Sequence, residues 1–147
     1  MVNLARVLLS LLVAAALMSF SSIASAQAVP HRATGNAQFV SQNDFVGTGH
    51  ATHLGNYTEV GNVSFAPTSN PAVLAVSGWA IYTAANGHEL HAVLSGELNT
   101  QTGAITATVT YVGGTGRFGN ATGSSILSGQ MLGGGAVVVA VAGNIDY

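Results

Sequence analysis

The sequence predicts an all-β protein, a single antiparallel β-barrel of roughly eight strands that run up and down. Short β-prone runs recur at regular spacing along residues 27–147, and each is followed by a short turn, which is the pattern of a sandwich or barrel. No run has the periodicity of an amphipathic helix. The runs follow one another as hairpins without a long crossover, which favours an up-and-down barrel. Closure would also remove sheet edges that have few charges to protect them.

The predicted strands differ in the clarity of their pattern. Tyr57–Phe65 and His88–Leu98 alternate cleanly between their two faces. Asn86-Gly87, just before the second of these, is the strongest hairpin signal in the chain. The complete set of predicted strands is Gly35–Val40, Asp44–His53, Tyr57–Phe65, Val73–Thr83, His88–Leu98, Ile105–Val112, Ser124–Leu132 and Ala136–Ile145.

Two local features predict departures from regular strands. Gly47 and Gly49 indicate a bend or bulge within the second strand. Pro30 indicates that Gln27–Arg32 is an irregular lead-in, because proline restricts the backbone and lacks an N–H group.

The first 26 residues have the pattern of a secretion signal. Arg6 supplies a positive charge, Val7–Leu17 is apolar, and Ala24-Ser25-Ala26 is a small-x-small cleavage site. The apolar run is too short to span a membrane. We therefore predict a signal peptide at 1–26, one barrel domain at 27–147 without a membrane span, and a secreted, periplasmic or extracellular location.

The composition excludes several classes of function. Residues 27–147 contain two arginines, no lysine and five acidic residues, a net charge of −3. A nucleic-acid-binding protein needs clustered basic residues to neutralise phosphates, so no nucleic-acid partner is expected. The chain has no cysteine, which excludes disulfides and lipid attachment through cysteine. No nucleotide-binding loop or catalytic-serine motif occurs, and no cofactor is predicted.

Three motifs carry a family resemblance. Residues 113–123 read GGTGRFGNATG, Thr52–Thr58 reads THLGNYT, and Ala84–Leu90 reads AANGHEL. In this order they resemble the small secreted β-barrel proteins of the allene oxide cyclase-like and dirigent-like group. Asn56 stands where that group usually has arginine, and His88 where it usually has aspartate.

The resemblance implies a barrel fold and leaves the activity open. The group includes plant enzymes that cyclise an allene oxide, dirigent proteins that steer radical coupling, and bacterial secreted proteins without an assigned role. The chain is most similar to the last of these. The resemblance places no catalytic residue of the plant enzymes in this sequence.

Two histidine pairs are the candidates for a metal site. His50 and His53 are three residues apart, as are His88 and His91, and imidazole is a good ligand for Zn²⁺ or Cu²⁺. Residues three apart in a strand point to opposite faces, so neither pair would converge on one ion. We therefore predict no metal, with these four histidines as the alternative.

Glu89 and His91 are the candidates for acid–base catalysis. They share one face of a predicted strand and would form a carboxylate–imidazole pair if that face lined a cavity. Leu90, Leu94 and Leu98 occupy the opposite face. Alternation favours the leucine face as the core, with Glu89 and His91 in solvent.

An eight-stranded barrel is just wide enough to be filled by side chains or to hold one small ligand. Aromatic side chains are mostly core residues, and a lone arginine in a tight turn typically binds carbonyl groups or an acid. The candidates for a ligand site are Tyr57, Trp79, Tyr82, Tyr111 and Arg117.

The function predicted from the sequence is that of an exported barrel of unassigned role. We expect a non-catalytic binding or envelope-associated protein that holds a small apolar molecule. One alternative is a cyclase- or isomerase-like enzyme with an aromatic-lined cavity. The other is a structural protein that self-associates as a homo-oligomer.

Overall fold

Eight antiparallel strands close into a barrel in the computed structural model, which describes residues 27–147. Each strand pairs with the next, and the last pairs with the first, so the predicted up-and-down barrel is confirmed. The predicted signal peptide lies outside the described residues. The strands are β1 (Val29–Phe39), β2 (Asp44–Ala51), β3 (Gly55–Pro67), β4 (Val73–Ala84), β5 (Glu89–Asn99), β6 (Ala104–Gly114), β7 (Thr122–Met131) and β8 (Ala136–Asp146).

The up-and-down order gives the barrel two distinct ends. The turns that follow β1, β3, β5 and β7 lie at one end, where the rings of Phe39, Phe45 and Phe65 pack with centroids 6.0 and 6.2 Å apart. We call this the phenylalanine end. The other turns and both termini of the described chain lie at the opposite end, where the rings of His31 and His53 stack. We call this the histidine end.

The first strand begins at Val29, so the predicted irregular lead-in and strand start at Gly35 are wrong. Pro30 pairs with β8, but pairing of β1 with β2 begins only at Ala33. The carbonyl of Pro30 accepts a hydrogen bond from His53 instead of from a neighbouring strand. Proline is tolerated here because its missing N–H group faces the side without a strand.

The glycines of β2 make room for large side chains and produce no bulge. The register of β2 is continuous with both β1 and β3, so the predicted bulge is wrong. A Cβ atom on Gly47 would lie 2.9 Å from Cγ of Glu59, and one on Gly35 would lie 2.8 Å from the hydroxyl oxygen of Tyr57. Tyr57 also covers Gly49. The side chains of β3 therefore lie flat across the glycine-bearing wall of the barrel.

The histidine end is closed by the glycine-rich segment 113–123. A short 3₁₀ turn over Gly116–Phe118 buries Phe118 completely. The guanidinium group of Arg117 lies over the rings of Phe118 and Tyr147, at 4.8 and 5.7 Å from their centroids, and donates a hydrogen bond to the carbonyl of His53. No helix within residues 27–147 is long and apolar enough to cross a membrane.

Candidate ligand site in the barrel lumen

An apolar cavity of about 90 Å³ lies inside the barrel. At the phenylalanine end it is lined by half-buried Phe39, Phe65 and Met131, whereas Leu54 and Leu90 near the histidine end are buried. The cavity therefore approaches the surface at the phenylalanine end and is closed at the other. Since about 10–15 Å³ is enough for one water molecule, the lumen has room for a small, slender ligand.

Glu59 is the one acidic residue among those that line this cavity, and it is only 6% exposed. In the register of the sheet it lies in one row with Ala37, Gly47, Tyr82 and Leu90. Burial raises its pKa from 4.5 to about 7, because the charged form loses its hydration. Neither a hydrogen bond nor an ion pair from residues 27–147 compensates for that loss. The carboxyl group thus exchanges its proton near neutral pH.

Three tyrosines surround the same space. The rings of Tyr57 and Tyr82 meet edge to face, with centroids 5.5 Å apart, and the hydroxyl of Tyr111 is hydrogen-bonded to Oγ of Ser125 at 2.8 Å. Burial raises the pKa of all three phenols, so they are neutral hydroxyl groups at ordinary pH. These three predicted ligand residues do face the lumen together.

His31 lines the lumen near the histidine end and is 3% exposed. Its ring stacks on His53 at 5.7 Å and meets the edge of Tyr111 at 5.4 Å. Burial, with a smaller contribution from His53, lowers its pKa from 6.5 to about 4. Its Nδ1 atom is buried and has no hydrogen-bond partner in the described part of the chain. The imidazole is therefore neutral at pH 7.

His53 covers the ring of His31 at the histidine end. Its Nε2 atom donates to the carbonyl of Pro30 at 2.8 Å, since a carbonyl can only accept. Its Nδ1 atom then accepts a hydrogen bond from the hydroxyl of Tyr147 at 3.0 Å. Both ring nitrogens are engaged in holding the histidine end together.

Two of the predicted ligand residues lie outside the cavity. Trp79 is 46% exposed on the outer face of β4. Ala80 and Tyr82 share the inner face of this strand, and alternation places Trp79 on the opposite one. The prediction that Trp79 lines the interior is wrong. Arg117 lies beyond the closed histidine end, where it binds the carbonyl of His53.

Glu89 and His91 are hydrogen-bonded to each other on the outer face of β5. Their side chains are 38% and 37% exposed, with 2.9 Å between Oε2 and Nε2. Leu90, Leu94 and Leu98 are buried on the opposite face, as predicted for the core. The inward orientation on which a catalytic role for Glu89 and His91 depended is absent.

The four histidines of the alternative metal site do not come together. His50 and His91 lie on the outer faces of β2 and β5, while His53 and His88 lie in turns at the histidine end. Among the described residues, no three histidine, aspartate or glutamate side chains are placed to hold a metal ion.

Sequence reasoning missed the two buried ionisable residues, Glu59 and His31. The alternation of β3 does place Glu59 on the same face as Tyr57 and Val63, so an acid within an apolar stripe was a usable signal. His31 had no such signal, because it lies in a stretch where Pro30 predicts irregular structure.

Comparisons of the chain with known protein families, with characterised proteins and with solved structures found no match. The resemblance to the allene oxide cyclase-like and dirigent-like group therefore stays a prediction from three sequence motifs. Function has to be inferred from the lumen itself.

Proposed function

We propose that the protein binds a small, largely apolar ligand in the barrel lumen. The observation that supports this is a buried carboxyl group, that of Glu59, which lines an apolar cavity without a compensating partner in residues 27–147. An uncompensated buried acid costs stability, and its raised pKa corresponds to about 3 kcal/mol. A core selected only for stability would have an apolar side chain here.

The lumen offers one group that could exchange a proton with a ligand. Glu59 is the one lining group whose pKa lies near neutrality, because that of His31 is far below it and those of the tyrosines are far above it. A carboxyl group with such a pKa is also suited to general acid–base chemistry, so the cyclase- or isomerase-like alternative would depend on Glu59. The exposed pair of Glu89 and His91 cannot take part from the outer face.

Export is part of the proposal. The signal-like segment at residues 1–26 supports it, and the resemblance to small secreted barrels agrees with it. Self-association stays a prediction from the weakly charged surface.

Filling the lumen tests the proposed function. We expect hexanol, a slender neutral probe, to bind one molecule per barrel in isothermal titration calorimetry. Ala37→Leu should weaken that binding at least tenfold, because the larger side chain projects past Gly47 towards Glu59 in the same row.

Ala142→Leu is the matched control, since Ala142 is exposed on the outer face of the adjacent β8. It should bind hexanol as the parent protein does. Absence of hexanol binding to the parent protein, or equal binding by both variants, would rule out the lumen as the site.

A further inference from the structure

The charge inside the lumen is unbalanced when Glu59 ionises. The other titratable groups that line the cavity are His31 from β1, Tyr57 from β3, Tyr82 from β4 and Tyr111 from β6. The remaining strands contribute no titratable side chain to it. All four of these groups are neutral at pH 8, because burial lowers the pKa of the imidazole and raises those of the phenols.

Neither arginine of the described chain neutralises this carboxylate. Arg32 is exposed on the outer face of β1, and Arg117 lies beyond the closed histidine end over Phe118. In the described residues, the one contact between a carboxylate and a basic side chain joins Glu89 and His91 on the outside of the barrel. Within residues 27–147, therefore, no positively charged side chain lies next to Glu59 in the lumen.

The surroundings of Glu59 also suit a cation. Tyr82 is its cross-strand neighbour, and Tyr57 lies on the same face of β3 with its ring edge to face against that of Tyr82. Aromatic ring faces attract ammonium groups, more strongly when water is excluded. Glu59 is six residues from Phe65 along β3, roughly 20 Å at the rise of a strand, so an apolar body can extend from it towards the phenylalanine end.

From this arrangement we propose that the lumen binds a small apolar amine, with the ammonium group donating hydrogen bonds to the Glu59 carboxylate and the hydrocarbon chain lying towards Phe65. The inference rests on the proposed lumen site and names its ligand class. A neutral alcohol would leave the carboxylate charge uncompensated, and a carboxylate ligand would add a second negative charge in a medium of low dielectric. The cavity of about 90 Å³ requires a slender molecule.

A series of three probes of equal length tests the ligand class. Hexylamine, hexanol and hexanoate are titrated into the protein by calorimetry at pH 8 and at pH 5. At pH 8 we expect hexylamine to bind at least tenfold more tightly than hexanol, and hexanoate to show no binding. At pH 5 the amine should bind about a hundredfold more weakly than at pH 8, because the carboxyl group with a pKa of about 7 is then protonated.

The Glu59→Gln variant tests whether Glu59 is the group that binds the ammonium ion. In this variant hexylamine should bind no more tightly than hexanol, and amine binding should no longer depend on pH. A second readout needs no variant: at pH 5, titrations in buffers of different ionisation enthalpy should show about one proton released for each hexylamine bound.

The outcomes separate the inference from the function on which it rests. If hexanol binds but hexylamine binds no more tightly and releases no proton, the amine inference is overturned and the lumen site stands. If none of the three probes binds, both are overturned.

Discussion

Glu59→Gln is expected to abolish a pH dependence of the parent protein, in which the contribution of Glu59 to the free energy of unfolding should fall by about 3 kcal/mol as the pH rises from 4.5 to 7. The pKa of Glu59 is about 7 in the folded protein, against 4.5 for an ordinary glutamate. Between these values the unfolded chain releases a proton that the folded protein keeps. The stabilising contribution of the protonated carboxyl group is therefore complete below pH 4.5 and is lost as the pH rises through 7.

Urea denaturation between pH 4 and pH 8 measures this effect. The difference in unfolding free energy between Glu59→Gln and the parent protein should grow with pH in favour of the variant. Glu97→Gln is the control, because Glu97 is exposed on the outer face of β5. A constant difference between Glu59→Gln and the parent protein across this range would show that the lumen does not perturb Glu59.

His31→Phe is expected to abolish a second pH dependence. In the parent protein, the contribution of His31 to the free energy of unfolding should fall by about 3 kcal/mol as the pH falls from 6.5 to 4. The pKa of His31 is about 4 in the folded protein, against 6.5 ordinarily, so the unfolded chain takes up a proton first. The contribution of neutral His31 is present above pH 6.5 and is lost as the pH falls through 4. Phenylalanine keeps a ring against His53 and Tyr111 and removes the unpartnered Nδ1 atom.

The two substitutions check each other in the same denaturation series. The opposing contributions of Glu59 and His31 cancel between about pH 4.5 and 6.5 in the parent protein. Glu59→Gln should therefore lose unfolding free energy as the pH falls, because only the effect of His31 remains. His31→Phe should lose it as the pH rises towards 7, because only the effect of Glu59 remains. The double variant should show neither loss. His50→Gln is the control, because His50 lies on the exposed face of β2. It should leave the pH dependence of the free energy of unfolding as it is in the parent protein. If His31→Phe loses stability in acid as Glu59→Gln does, the assignment to His31 is wrong.

The fold was predictable from the sequence because its signals are local. Alternation in Tyr57–Phe65 and the hairpin residues Asn86-Gly87 depend only on neighbours along the chain. The errors concern residues whose role depends on the adjacent strand. Pro30 fits in β1 because β2 does not yet pair there, and Gly47 is small because Glu59 lies across it. Neither relation is visible before the register is known.

The site was predictable only in part, for the same reason. Tyr57, Tyr82 and Tyr111 were identified as lumen residues because bulky aromatic side chains favour the interior. Trp79 was misplaced because the many small residues of β4 blur its alternation, so its face could be assigned only from the strand pairing. Glu59 was overlooked because an acid is ordinarily assigned to solvent, although its position in the alternation places it inside.

The claim that Glu59 is the polar centre of a ligand-binding lumen is tested most directly by carbon NMR of protein labelled in its glutamate carboxyl groups. The chain has only three glutamates, Glu59, Glu89 and Glu97, so each signal can be assigned with single variants. We expect the Glu59 signal to titrate near pH 7 and to shift when hexanol is added at constant pH. A Glu59 signal that titrates near 4.5 and does not respond to hexanol would contradict the account.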